Sequence, residues 1–513
     1  MTKESSKSNP PTVAIIGAGI GGICLGVQLA KRGISSFTIL ESAESAGGTW
    51  WYNQYPGAEC DIPSALYSYS FKSYDWSRTH AGQSEILDYL QETIDEYGLR
   101  PKLEVGARVS TVEWNDERSQ YLVTLADGSA RWFDVVATAV GMLNVPRIPA
   151  WPGLESFQGD VMHSARWDKS VDLTGKRVAV VGGGASAAQI VPGLQAVVGE
   201  LLNFQREPGW VFRKGNRDYT QEQRQDLNRL GRRKRERLKV FRGVDKGLKS
   251  ASDPDSSAAA RTRGETFLDD VFGDHPGLRG VLEPSFQPRC KRNVLSDTFY
   301  PALTKPNVRL VHRSVESVTP EGVVDDDGHE HPVDAIVLAT GFEAANFLST
   351  LEVTGRDGRR LHEVWGDDPQ GFLGITMPGF PNFYMLYGPN THGTVVSFVL
   401  ERQAEFVARD LRRLARKRGG TIEVTEKANT WFQGKLQSAI AEVPAWKSGC
   451  HNFYLSRSGR NVVQWPWSHG RYWLMSRALR VWSSRHKPLL AAQRAARDDL
   501  PATVATTKEG AAQ

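Results

Sequence analysis

Two glycine clusters carry the first chemical signal in the chain. Gly17, Gly19 and Gly22 make a GxGxxG run directly after the apolar stretch that starts at Thr12, and a helix pattern follows through Arg32. A second apolar stretch, from Ser36 to Leu40, closes on Glu41. Such glycines allow a tight turn and let the backbone approach a pyrophosphate. The helix N-terminus attracts the phosphate charge, and the carboxylate accepts hydrogen bonds from ribose hydroxyls. Placed first in the chain, this set suits FAD. The second cluster, Gly182 and Gly184 followed by Ala185, Ser186 and Ala187, comes after the stretch Lys176 to Val181 and before a helix pattern to about Leu194. The next strand, from Glu200, ends in Gln205 and Arg206 where an NAD site would carry an acid. A cation there can meet a 2′-phosphate, which points to NADPH. Glu207 follows, and a carboxylate turned toward that phosphate would repel it.

Both clusters need the same scaffold, a strand, a helix and a second parallel strand. The grammar therefore predicts an α/β chain with two Rossmann-like dinucleotide-binding domains, one for FAD and one for NADP. Two further apolar stretches, Phe133 to Gly141 and Val333 to Gly341, resemble each other and each would return the chain to its sheet. From Arg217 to about Leu282 the composition turns basic and helical around Arg229 to Lys249, then rich in Ser, Ala and Asp from Ser250 to Ala260. This reads as a helical insertion, about 217–282, with a mobile loop. The expected division is a disordered N-terminus at 1–11, a first FAD part at 12–150 and the NADP domain at 151–334. A second FAD part with the substrate-pocket segment follows at 335–485, and a flexible tail at 486–513.

With 513 residues the chain has material for two or three domains, and its formal charge of +5 is too small to demand a polyanionic partner. Four cysteines, Cys24, Cys60, Cys290 and Cys450, form no CxxC pair and show no metal-ligand spacing, so the reading is unpaired thiols in a reducing cytoplasm and no metal. No apolar run is long enough for a membrane span.

Longer motifs narrow the reading. The segment from Gly47 through Gly48, Thr49, Trp50, Tyr55, Pro56 and Gly57 to Asp61 resembles the one after the second FAD-domain strand in Baeyer–Villiger monooxygenases. Phe157, Gly159, His163, Trp167 and Asp168 match that family's fingerprint, and the similarity continues through Leu338 to Phe342, to about Asn390. The resemblance implies a C4a-peroxyflavin, formed with NADPH and O2, that inserts oxygen beside a ketone carbonyl to give an ester or lactone. Lys291 and Arg292 resemble the family's Lys-Arg pair, in which the lysine contacts the 2′-phosphate and the arginine lies over the flavin. Asp61 resembles the carboxylate that pairs with that arginine, so Arg292 and Asp61 are the expected catalytic residues. The resemblance adds Gly48, Thr49, Trp50, Tyr67, Val109, Gln189, Gly388 and Pro389 to the cofactor-binding set. His163 reads as a structural residue of the interdomain linker, and Phe453 takes the place of a tryptophan near nicotinamide and substrate. The aromatic run from Trp465 to Trp473 reads equally as core or pocket wall.

Three other readings compete. A flavin-containing monooxygenase of amines or sulfides shares the layout but usually has a smaller aromatic at the position of Trp167. A flavoprotein disulfide reductase would need a reactive cysteine pair. A nucleic-acid or membrane-surface module would have to use the basic stretch Arg229 to Lys249, which lacks interleaved aromatics for bases and apolar residues for insertion.

Overall fold

The computed structural model describes residues 10–249, 252–393, 395–447, 449–450, 452–498 and 503–504. The strand Val13–Ile16 is buried at all four positions, as is Val135–Thr138, because both faces of their sheet are covered. That sheet is parallel and runs Phe383–Met385, Val135–Thr138, Val13–Ile16, Phe37–Leu40, Leu103–Glu104. The glycine-loop helix Ile20–Ala30 packs on it and against the long helix Val396–Arg416.

A second parallel sheet has the order Val308–Val311, Glu200–Phe204, Arg177–Val181, Ala335–Leu338, Asp160–His163, with the helix Ala187–Gln195 leaving its glycine loop. In both sheets the first strand after the N-terminal edge of the motif lies centrally, which sets each glycine loop at the carboxyl end of the sheet. The expected return strands are both present. Because Ala335–Leu338 pairs with Arg177–Val181, the second unit extends past the boundary expected at 334.

An antiparallel layer of Val109–Asn115, Gln120–Leu125 and Ala130–Phe133 is edged by Glu352–Thr354 and Thr503–Val504. The insertion consists of helices Gln221–Asn228, Arg232–Lys249, Pro254–Phe272 and Pro276–Leu282. The basic helix Arg232–Lys249 is amphipathic. Val240, Phe241 and Val244 pack on the main core, and Arg237 donates to the carbonyls of Ala65 and Ser68, while the charged face and Leu238 meet solvent.

Two expectations of mobility are corrected. Of the loop expected at Ser250 to Ala260, residues from Pro254 are helical, capped by the Asp253 side chain accepting from the Ser256 amide, while Ser250 and Ala251 lie outside the described residues. Of the flexible tail expected at 486–513, residues 486–498 and 503–504 are described and partly structured, while 499–502 and 505–513 lie outside the described residues. Ser484–Lys487 pairs with Thr421–Val424, a helix spans Ala491–Asp498, and Arg497 reaches Asp134 at 2.7 Å. Residues 1–9 of the expected disordered N-terminus lie outside the described residues.

Candidate active site

The glycine loops are shaped by contacts that no side chain would permit. A Cβ on Gly22 would stand 1.8 Å from the Gly17 carbonyl oxygen, and Gly17 itself has φ +105°. Gly19 caps the helix Ile20–Ala30 with no side-chain hydrogen bond, leaving its amide end open to an anion. Glu41 is buried and accepts from the amides of Ala18 at 2.7 Å and Ala43 at 2.9 Å, which fixes the carboxylate at the strand end beside the loop. The helix Ala187–Gln195 likewise starts behind Ser186 without a side-chain cap, and Gly182 holds φ +140°. Thr49 and Trp50 open a short helix behind Gly48, and the Trp50 indole donates to the Tyr67 hydroxyl at 3.1 Å. Val109 is buried at the head of its strand. Asn390, next to Gly388 and Pro389, is buried with its Oδ1 unpartnered among the described residues. The open helix ends, one in each unit, and the orphan acceptor of Asn390 fit bound dinucleotides.

The second nucleotide loop is arranged differently from the sequence picture in two details. Gln189 uses its amide on protein, accepting from the Tyr55 hydroxyl at 2.9 Å and donating to the Glu59 carbonyl at 2.9 Å, so it fastens the second unit to the first. Gln205 is buried on Asn203 at 2.6 Å, which leaves Arg206 as the exposed member of that pair. Glu207 turns to Lys291 and forms an ion pair with it. The feared repulsion is thereby cancelled by a cation expected to serve the same phosphate.

Arg292 crosses from the second unit into the first. Its Nη2 donates to Asp61 Oδ2 at 2.5 Å and its Nη1 to His392 Nε2 at 3.4 Å. A guanidinium has no acceptor, so His392 Nε2 holds a lone pair and Nδ1 carries the proton, donating it to the Tyr387 hydroxyl at 2.6 Å. Burial, helped by the Arg292 charge, takes the imidazole down to about 3, so it stays neutral. Burial opposes ionisation of Asp61, and the charge and hydrogen bond of Arg292 outweigh it, holding the carboxyl below its ordinary value. The Asp61 charge in turn raises the Arg292 guanidinium further. Nearby, Lys214 pairs with Glu59 at 2.6 Å. The result is a permanent cation, oriented from two sides, beside the loop that follows the strand Phe383–Met385.

Cys290 and Cys450 are joined by a disulfide, which corrects the expectation of four unpaired thiols. Only Cys24 and Cys60 are free, both buried. The bond lies immediately before Lys291 and ties that loop to the segment carrying Phe453 and Tyr454. Tyr454 is buried and packs near His392, with ring centroids 6.3 Å apart, whereas Phe453 is partly exposed. His163 donates from Nε2 to the Gly341 carbonyl at 3.0 Å and accepts the Ala165 amide at Nδ1, a structural use of both nitrogens. Trp465 and Tyr472 belong to the core, while Trp473 faces outward.

Sequence reasoning missed His392, Lys214 and the disulfide. His392 stands two residues after the quoted Asn390, but no spacing rule marks it, and cysteines 160 residues apart signal nothing until the fold joins them.

A flavin-binding monooxygenase-like family profile matches residues 11–224. A Baeyer–Villiger monooxygenase of Streptomyces coelicolor is 38% identical over 469 residues, covering 88% of this chain and 88% of that protein. This chain belongs to the Baeyer–Villiger monooxygenase family. A second Baeyer–Villiger monooxygenase, from Pseudomonas aeruginosa, is 35% identical over 91% of the chain and 89% of its own length. Among solved structures, an oxidised steroid monooxygenase bound to NADP superimposes with a TM-score of 0.84 at 28% identity, covering 93% of this chain and 99% of the other. A closed cyclohexanone monooxygenase gives 0.85 at 26% identity, with the same coverage. Membership selects among the competing readings: the cysteine pair beside Lys291 does not make the chain a disulfide reductase.

Proposed function

We propose that this enzyme uses FAD, NADPH and O2 to convert a ketone into an ester or lactone. The observation that carries the reading is the Arg292–Asp61 pair, one partner from each nucleotide unit, held at 2.5 Å where the two glycine-loop domains meet. A flavin held by these residues would supply, once reduced by NADPH, the activated dioxygen from which one oxygen is inserted beside the carbonyl carbon. Arg292 offers that reaction a cation that cannot deprotonate at working pH, so negative charge developing at the oxygen being transferred is stabilised without a proton donor that would quench it. Asp61 and His392 aim the guanidinium. Lys291 and Arg206 supply positive charge for the 2′-phosphate, with Glu207 balancing Lys291 until the phosphate arrives. Gly17, Gly19, Gly22, Glu41, Gly48, Thr49, Trp50, Tyr67 and Val109 form the FAD side of the site, with Gly388 and Pro389 closing it. Gly182, Gly184, Ala185, Ser186, Ala187 and Gln205 form the NADPH side.

The buried aromatic setting of Tyr387 and Tyr454, both against His392 beside Arg292, supports an apolar ketone. No helix among the described residues is long and apolar enough to cross a membrane. A cytoplasmic location goes with an NADPH-dependent reaction, and the Cys290–Cys450 bond then has to persist against a reducing thiol pool. The test is incubation of the purified yellow protein with NADPH, isotopically heavy dioxygen and ketones ranging from cyclohexanone to a steroid. One heavy oxygen in the ester per NADPH consumed is the expected result. Consumption of NADPH that yields only hydrogen peroxide with every ketone would overturn the reading, and oxygenation confined to amines or sulfides would move the enzyme to the other branch of the superfamily.

A further inference from the structure

The helix His469–Trp482 buries His469, Tyr472 and Ser476 and turns its other side outward. On that side Leu474, Val481 and Trp482 are 57%, 55% and 56% exposed, and Trp473 is 39% exposed. Leu474, Ala478 and Val481 with Trp482 follow one another at helical spacing, so they form a stripe. Trp431 of the neighbouring helix Glu426–Ala441 continues it, 42% exposed and meeting Trp482 edge-on at 5.4 Å. Single exposed apolar residues are ordinary, but a contiguous patch of this kind marks an interaction site.

The rim of the patch is basic. Arg471 and Arg477 lie on the same helix, which contains no acidic residue, and Lys427 and Lys435 stand one turn to either side of Trp431. All four are exposed, and among the described residues none of them makes an ion pair, although Glu426 lies beside Lys427. The Arg477 guanidinium rests over the Trp473 ring at 5.1 Å, and Arg471 over Trp467 at 4.3 Å, so their side chains run along the apolar surface with the charge at its edge. Two occupants deserve comparison on these grounds. A second copy of the chain meeting this face through a two-fold axis would bring the basic rim against itself, which like charges oppose. An anionic bilayer matches both parts: lipid phosphates meet the arginines and lysines, tryptophans settle at the headgroup level, and Leu474 and Val481 enter the acyl boundary.

We propose that this face, Trp431 with the outer side of His469–Trp482, is a peripheral docking surface for an anionic lipid bilayer. The basic helix Arg232–Lys249 differs: there Val240, Phe241 and Val244 are packed on the core and Leu238 alone stands exposed among the described large apolar side chains, whereas here four large apolar side chains of one face are exposed with basic groups. The surface does not depend on the catalytic reading and is tested apart from it. The full-length flavoprotein is sedimented with vesicles of phosphatidylcholine containing phosphatidylglycerol, and with vesicles of phosphatidylcholine alone. Binding to the anionic vesicles, weakened by high salt, is the expected result. Each basic side chain near an anionic surface contributes about fivefold, so Arg471→Glu with Arg477→Glu should weaken binding about 25-fold or more. Trp431→Ser, Leu474→Ser, Val481→Ser and Trp482→Ser together should abolish it, with flavin absorbance and melting temperature checked for both variants. Absence of binding to anionic vesicles, or binding that survives the charge reversal, overturns the proposal. So does a dimer in sedimentation equilibrium that the four serines dissociate, which would assign the face to a second copy.

Discussion

Replacing Asp61 by Asn keeps the side chain's shape and removes the charge that aims Arg292. A hydrogen bond to a charged group is worth about 1.5–3 kcal/mol net. The two side chains are 20% and 34% exposed, so solvent takes a share and the lower half of that range applies. His392 remains as a second restraint on the guanidinium. At 1.36 kcal/mol per decade, Asp61→Asn should therefore lower kcat/KM for ketone about 10- to 45-fold. Arg292→Ala removes the cation itself. With a charge interaction of about 4 kcal/mol at ~4 Å and an effective dielectric near 20, its loss should approach a thousandfold. The assay follows ester formed and NADPH consumed, so that lost oxygen transfer is separated from lost flavin reduction, and flavin content is checked by absorbance. If Asp61 works through Arg292, the double variant should be no slower than Arg292→Ala alone, because the partner being aimed is already gone. Additive losses in the double variant, or full activity of Asp61→Asn, would refute this account of the pair.

Acidification should destabilise the fold through buried neutral histidines. Burial takes His392 down to about 3 and His80 down to about 4, below an unfolded value near 6.5, so unfolding takes up protons and the stability these groups leave intact above pH 6.5 is lost as pH falls toward their folded values. At pH 5 the cost is about 2 kcal/mol for each, read as a melting temperature that drops from pH 7 to 5 and drops less in His392→Asn. Gly22→Ala should give colourless protein, since its methyl collides with the Gly17 carbonyl at 1.8 Å, and a flavin-loaded variant would contradict the loop assignment. Lys291→Ala should raise KM for NADPH tenfold or more with little effect on NADH, whereas Glu207→Gln, which frees Lys291, should lower it. Opening the Cys290–Cys450 bond with Cys450→Ser should cost about 2–5 kcal/mol, seen as a melting temperature that no longer responds to reductant.

The two nucleotide units were legible because their signals are local: a buried parallel strand, a glycine turn and a helix follow one another within thirty residues or so. Asp61 and Arg292 were legible only through longer motifs, since 231 positions separate them and their contact is made by the fold. His392 escaped for the same reason, with its partners Arg292 and Tyr387 set by loop conformation. The stretch 486–498 of the tail was misread because Ala- and Arg-rich composition resembles a solvated chain. Its order comes from tertiary bonds, such as those from Arg497 to the carbonyls of Arg118 and Ser119, that composition does not encode. The mobile loop failed on a cap, Asp253, whose N-terminal signal was outweighed by the Ser and Ala around it.

The close backbone packing between Gly57 and Gln189 has a mechanical consequence. A Cβ at Gly57 would meet the Gln189 carbonyl oxygen at 2.7 Å, and one at Gly193 would meet the Pro56 carbonyl oxygen at 2.7 Å, so turn and helix touch main chain to main chain. Such a seat behaves as a fulcrum: displacement under a rocking motion grows with distance from it. Asp61 is only four residues from Gly57 along the chain, and the insertion helix Arg232–Lys249 is itself tied to the first unit through Arg237 and the carbonyls of Ala65 and Ser68. Rocking of one nucleotide unit on the other about this seat would leave the carboxylate that aims Arg292 almost still.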